Sequence, residues 1–130
     1  MNNKWIVCLA LALAGCGGAG PLGGTWKGTA GDWSVTVEFD QYATQDGASS
    51  FSGTATANKP SCFSTGTAAA TLLNDTSTTL VLTSVGSASD TAVRIIGTLS
   101  GEQITGTLTA INTKDEACNT DSTPITLTRQ

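Results

Sequence analysis

The sequence predicts an all-β fold: a small antiparallel up-and-down barrel of about eight strands. Three observations predict it. Over Trp33–Asp40 apolar and polar residues alternate, with Trp33, Val35, Val37 and Phe39 on one face and Ser34, Thr36, Glu38 and Asp40 on the other. That is the period of a half-buried strand. Short runs of the same kind recur along the chain, separated by turn-forming residues. The dipeptide Gly-Thr also returns at 28–29, 53–54, 66–67, 97–98 and 106–107, each time inside such a run. Side chains alternate along a strand, so each of these glycines shares a face with the apolar residues and each threonine points outward. Glycine on an inner face permits the sharp bends that a narrow closed barrel needs.

Taken in order, structure is expected from Gly24. The first strand, Gly24–Ala30, ends at the hairpin dipeptide Gly31-Asp32. The second is Trp33–Asp40. Gln41–Ser50 reads as a polar connection and Phe51–Ala57 as the third strand. Asn58-Lys59-Pro60-Ser61-Cys62 breaks that strand, since proline has no N–H to give a ladder. Thr65–Leu72 and Thr78–Thr83 flank an Asn74-Asp75 turn, and Ser84–Asp90 is a loop. Thr91–Leu99 and Gln103–Ala110 form a hairpin over Ser100-Gly101-Glu102. Asn112–Ser122 is the longest loop of the latter half, and Thr123–Arg129 is the last strand. The phase puts Trp26, Trp33, Val35, Val37, Phe39, Phe51, Ala55, Ala68, Ala70, Leu80, Leu82, Val93, Ile95, Ile104, Leu108, Ile125 and Leu127 inside. Thr25, Lys27, Glu38, Thr54, Arg94, Thr105, Thr107 and Thr126 fall outside, and Ile96 with them as a misfit.

The start of the chain has a different character. Met1-Asn2-Asn3-Lys4 carries one positive charge, an apolar run covers Trp5–Ala14, and the small pair Gly15-Cys16 follows. A charged head, an apolar run of about 7–15 residues and small residues at the cut describe a secretory signal peptide. The run is too short to span a bilayer, which takes roughly 20 apolar residues. Leu13-Ala14-Gly15-Cys16 resembles the lipobox of bacterial lipoproteins. The resemblance implies removal of residues 1–15, a diacylglyceryl group on Cys16 and acylation of its new amine. It also implies a protein held in the cell envelope by a lipid anchor. Gly17 after the cysteine, in place of aspartate, resembles lipoproteins sorted to the outer membrane of Gram-negative cells. Residues 16–23 then form the lipidated cysteine and a glycine-rich, flexible tether, and residues 24–130 the barrel domain.

The four cysteines sort accordingly. Cys8 leaves with the signal peptide and Cys16 takes the lipid. Cys62 and Cys118 remain, in an oxidising compartment where a disulfide persists.

At the two ends of the domain stand Gly24-Thr25-Trp26 and Arg129, the latter in phase with Ile125 and Leu127. Together they resemble the calycin group (lipocalins, fatty-acid-binding proteins, avidins). There a Gly-x-Trp opens the first strand, and an arginine of the last strand stacks on the tryptophan at the closed end. The second lipocalin motif, Thr-Asp-Tyr, has no counterpart here. The general texture resembles Gly/Thr-rich bacterial lipoproteins with no established activity. The rival architecture is a two-sheet sandwich, for which the spacing of Cys62 and Cys118 would suit an immunoglobulin-type bridge. That fold also wants a tryptophan soon after the first cysteine, whereas Trp5, Trp26 and Trp33 all precede Cys62.

Composition narrows the function. Charged residues make up 12%, the net charge is −4 and there is no histidine. An acidic chain with scattered cations does not fit a phosphate backbone, so nucleic acid is not an expected partner. Without histidine the commonest general base and metal ligand is missing. No serine stands in a Gly-x-Ser-x-Gly elbow. Glu38 and Asp40 share the outward face and read as solvated carboxylates. Asp115, Glu116, Asn119 and Asp121 crowd the last loop with oxygens but match no EF-hand spacing. No catalytic residue, cofactor or metal is expected. Two readings stay open: a lipocalin-like binder of a small apolar molecule, or an envelope interaction or structural module working through the loops farthest from the anchor. In the second, Lys59, Phe63 and Lys114 are the side chains placed to meet a partner.

Overall fold

The computed structural model describes residues 20–59, 62–85 and 91–130. The expected signal peptide (1–15), the lipidated Cys16, and Pro60 and Ser61 lie outside the described residues, as do positions 86–90. Eight antiparallel strands form one closed up-and-down barrel in chain order. They are β1 Gly24–Ala30, β2 Trp33–Gln45, β3 Ala48–Lys59, β4 Phe63–Leu73, β5 Ser77–Ser84, β6 Thr91–Ser100, β7 Gln103–Asn112 and β8 Thr120–Arg129. Each strand pairs with its sequence neighbours and β8 returns to β1, so the sandwich alternative is set aside.

Every apolar residue that alternation places inside is buried, from Trp26 on β1 to Leu127 on β8. The outward threonines, Lys27, Glu38 and Arg94 are exposed or half-exposed. Inner glycines mark close approaches between strands. A Cβ on Gly53 would run into the carbonyl oxygen of Glu38, and one on Gly106 into that of Ile96. At these points the barrel wall folds in on itself too tightly for any side chain.

Three expectations need correction. Gln41–Ser50 is not a loop: β2 continues to Gln45 and β3 begins at Ala48, joined by Asp46-Gly47 with φ of 53° and 81°. A bulge between Phe39 and Gln41 shifts the phase there, which hides the continuing strand from an alternation test. It also brings Tyr42 opposite Phe51, with stacked rings 5.5 Å apart. The segment before Gly24 is not all tether. Gly23 N–H donates to the Gly20 carbonyl at 3.0 Å, and Leu22 is fully buried. Finally, the 112–122 loop is shorter than expected, because β8 begins at Thr120 after a single 3₁₀ turn, Glu116–Cys118.

The β1–β8 ladder pairs Trp26 with Arg129 and Lys27 with Thr128. Farther along β8 stands Pro124, which has no N–H to offer a second neighbour. A shallow cleft of about 320 Å³ opens on the wall there, lined by Thr29, Thr105 and Pro124 among others.

Candidate functional site

The strand order sorts the connections to two ends. At one end lie the chain start at Gly20 and the turns Asp46-Gly47, Asn74-Asp75 and Gly101-Glu102, along with Arg129. We call this end proximal. At the other, distal end lie Gly31-Asp32, the end of β3 and start of β4, the end of β5 and start of β6, and the β7–β8 loop.

At each end a buried tryptophan lies under a cation. Proximally, Trp26 is fully buried and its indole N–H donates to the Leu22 carbonyl at 2.8 Å. The Arg129 guanidinium sits 4.5 Å from the centre of the Trp26 ring, an arrangement worth roughly 0.5–2 kcal/mol. The same guanidinium donates to the carbonyls of Gly23 and Pro21 and pairs with Glu102 at 2.6 Å. Thus Arg129 ties together the first turn, the β6–β7 hairpin and the end of β8. Distally, Trp33 is buried and the Lys59 ammonium lies 5.7 Å from its ring centre while pairing with Asp32 at 2.8 Å. Hydrogen bonding and the charge of Lys59 hold the Asp32 carboxyl below its ordinary value of 3.8.

The disulfide completes the distal closure. Cys62 and Cys118 are bonded, with their Cα atoms 5.6 Å apart and a sequence separation of 56. Closing a loop of that size stabilises the fold by ~4 kcal/mol on the chain-entropy account. Beneath it, Asn112 is buried and organises the loop. Its amide donates to Thr91 Oγ1 at 2.9 Å, and its Oδ1 accepts from the backbone of Lys114 and Asp115. Asn119 Oδ1 in turn accepts from the Asn112 N–H at 2.7 Å.

The residues expected to face a partner separate. Lys114 is exposed on the distal loop. Phe63 is 1% exposed and fills the interior as the first residue of β4, so it is no partner contact. Its ring is out of phase with Gly66, Ala68, Ala70 and Leu72, and it turns inward across the register shift that the β3–β4 ladder makes between Thr56 and Lys59. Lys59 ends β3 rather than standing in a loop, and is committed to Asp32 and Trp33. Two of the oxygen-rich residues of the last loop are likewise spent on backbone: Asp115 caps the 3₁₀ turn by accepting from Ala117 N–H at 3.0 Å, and Asn119 accepts from Asn112 N–H. Among the described residues no cluster of three His, Cys, Asp or Glu side chains is placed to hold a metal.

One surface was not expected. Val81, Ile96 and Ile111 are 41%, 49% and 56% exposed on the outer wall. Together with Arg94 they line a groove of about 400 Å³ across β5, β6 and β7. The register aligns them, with Val81 opposite Arg94 and Ala92 opposite Ile111. In sequence Val81 and Ile96 each break their own strand's alternation, and only the pairing of the strands sets them beside Ile111.

Searches against protein-family models, curated proteins and solved structures returned no match to this chain.

Proposed function

We propose that the chain is a lipid-anchored envelope protein, calycin-like in form and non-catalytic, whose barrel acts as an interaction module rather than as a carrier. The single observation that carries the choice is the closure of both ends. Trp26 beneath Arg129 fills one mouth, and Trp33 beneath Lys59, with the Cys62–Cys118 bridge, fills the other. Between them Phe39, Phe51 and Phe63 occupy the interior, as side chains do in narrow barrels. A carrier would need a mouth wide enough to admit and bury most of a ligand's surface.

The anchor rests on the lipobox Leu13-Ala14-Gly15-Cys16. The described wall agrees with a domain standing in water beside the membrane. Its outward positions are mainly threonine and serine, with Lys27, Glu38, Arg94 and a local patch of Val81, Ile96 and Ile111, whereas a spanning barrel turns an apolar band to lipid. Two or more acyl chains hold a protein stably, at about 0.8 kcal/mol per buried CH₂. The outer membrane of a Gram-negative cell is the location this reading implies.

The test has two arms. Cys16→Ser is expected to move the protein from the membrane pellet to the soluble fraction; retention after a salt wash overturns the anchor. Native mass spectrometry of the full-length lipidated protein is expected to give the mass of the lipidated chain alone. A stoichiometric apolar molecule carried along would overturn the module in favour of the small-ligand binder.

A further inference from the structure

We propose that the outer-wall groove of β5, β6 and β7 is the docking site of that module, and that it takes a partner protein segment presenting aliphatic side chains around one carboxylate. The inference rests on the interaction reading and supplies its partner chemistry.

Four features of the groove select this occupant. Its walls are the exposed aliphatic side chains of Val81, Ile96 and Ile111, on a barrel whose other outward positions are mainly threonine, serine and other polar residues. Clustered apolar surface of this kind on an otherwise polar face marks a contact site. Its centre is Arg94, exposed and with no hydrogen-bond or ion-pair partner among the described residues. By contrast, Lys59 and Arg129 are each held by an acid. An arginine set among aliphatic groups, in a chain of net charge −4, is complementary to a carboxylate and repels a cation. The groove also lies toward the distal half of the wall: Ile111 precedes Asn112 at the head of the distal loop, and Arg94 is three residues into β6. It is therefore turned away from the chain start.

The other occupants fit less well. Two copies meeting face to face about a two-fold axis would bring Arg94 against Arg94, a like-charge pairing. A small apolar acid would leave much of itself in solvent on a wall groove, where ligand pockets bury roughly 70–90% of their occupant. The barrel is closed, so it offers no edge on which a strand could add. The segment must then lie across the strands and be read by side chains.

The experiment selects short random peptides on the full-length lipidated protein in detergent, with wild type, Arg94→Glu and Ile96→Asp as parallel baits. Wild type is expected to enrich peptides with an acidic residue flanked by Leu, Ile or Val. Arg94→Glu should invert the charge preference to a basic residue, and Ile96→Asp should lose the aliphatic one. The best wild-type peptide should weaken about tenfold to a hundredfold on Arg94→Gln, the range for a charge-assisted hydrogen bond. Both substituted side chains are exposed, and unchanged melting temperatures would verify that the variants fold. Identical enrichment by wild type and Arg94→Glu overturns the proposal, as does no enrichment. A fatty acid held in the groove, or a dimer that Ile96→Asp dissociates, overturns it equally. Peptides that depend on Lys114 and not on Arg94 would sink the groove while leaving the interaction module standing.

Discussion

At the scale of single residues, Arg129 and Trp26 carry the proximal end. Trp26→Ala removes a fully buried indole and is expected to cost roughly 3–5 kcal/mol. Arg129→Ala should cost less, and the double variant less than the sum of the two, by roughly 0.5–2 kcal/mol. Denaturant unfolding of the four proteins measures this, and strict additivity would mean that the ring and guanidinium are neighbours without being coupled. Thr78 makes the opposite case. It is fully buried and its hydroxyl has no hydrogen-bond partner among the described residues, so the fold bears a desolvation cost there. Thr78→Val keeps the shape and should raise stability by roughly 1 kcal/mol, read as a melting temperature higher by a few degrees; a lower one refutes it. Asp32 adds a pH dependence. Its folded-state pKa is depressed by Lys59, so the pair stabilises above the ordinary carboxylate value of 3.8 and is lost as pH falls through the lower folded value. A carboxyl titration by NMR should show the Asp32 midpoint rising toward 3.8 in Lys59→Gln, and an unmoved midpoint would rule out Lys59 as the cause.

At the scale of strands, the weakest closure is between β1 and β8, where the ladder is two pairs long. Gly28 sits beside it, and a Cβ there would run into the Thr126 carbonyl oxygen and press on Leu127. Gly28→Ala must therefore push β8 away from β1. It should destabilise by roughly 1–3 kcal/mol, as overpacking does, and hydrogen exchange should rise first in β8. Uniform exchange across all strands would show the seam to be no weaker than the rest. Strands of this kind were largely legible beforehand because a period of two survives wherever pairing is regular, as over Trp33–Phe39 and Ile125–Leu127. Legibility failed where regularity did. The bulge at Asp40 broke the phase and concealed the rest of β2, although Asp46-Gly47 is a standard hairpin dipeptide that could have located the turn. Phe63 was misplaced because the register shift at the start of β4 breaks the alternation that Gly66, Ala68 and Ala70 follow. Leu22 looked like part of a glycine-rich tether, and only the three-dimensional meeting of the chain start with Trp26 and Arg129 makes it core. The groove was hidden for a related reason: Val81, Ile96 and Ile111 are far apart in sequence, and register alone brings them side by side.

At the scale of the whole molecule, the packed turn at Gly20–Gly23 tightens the geometry of anchoring. If Cys16 carries the lipid, four peptide steps separate it from Gly20, a reach of at most ~14 Å. The proximal end is then held close against the membrane surface. That end presents the turns at Asp46-Gly47, Asn74-Asp75 and Gly101-Glu102, whose carboxylates favour the aqueous side of an anionic lipid surface over insertion. The distal loop, with Lys114 exposed on it, and the Arg94 groove are correspondingly presented to whatever lies beyond the membrane. Amine-reactive biotin on intact membranes tests this arrangement in an Asp46→Lys variant, where labelling of the proximal lysine is compared with that of Lys114 by peptide mapping. Lys114 is expected to label several-fold faster than the lysine at position 46, and the two rates should converge once detergent dissolves the bilayer. Faster labelling at position 46 would invert the barrel on its anchor. Because the groove lies toward the same end as Lys114, that inversion would also turn Arg94 toward the lipid and leave a protein partner no route to it.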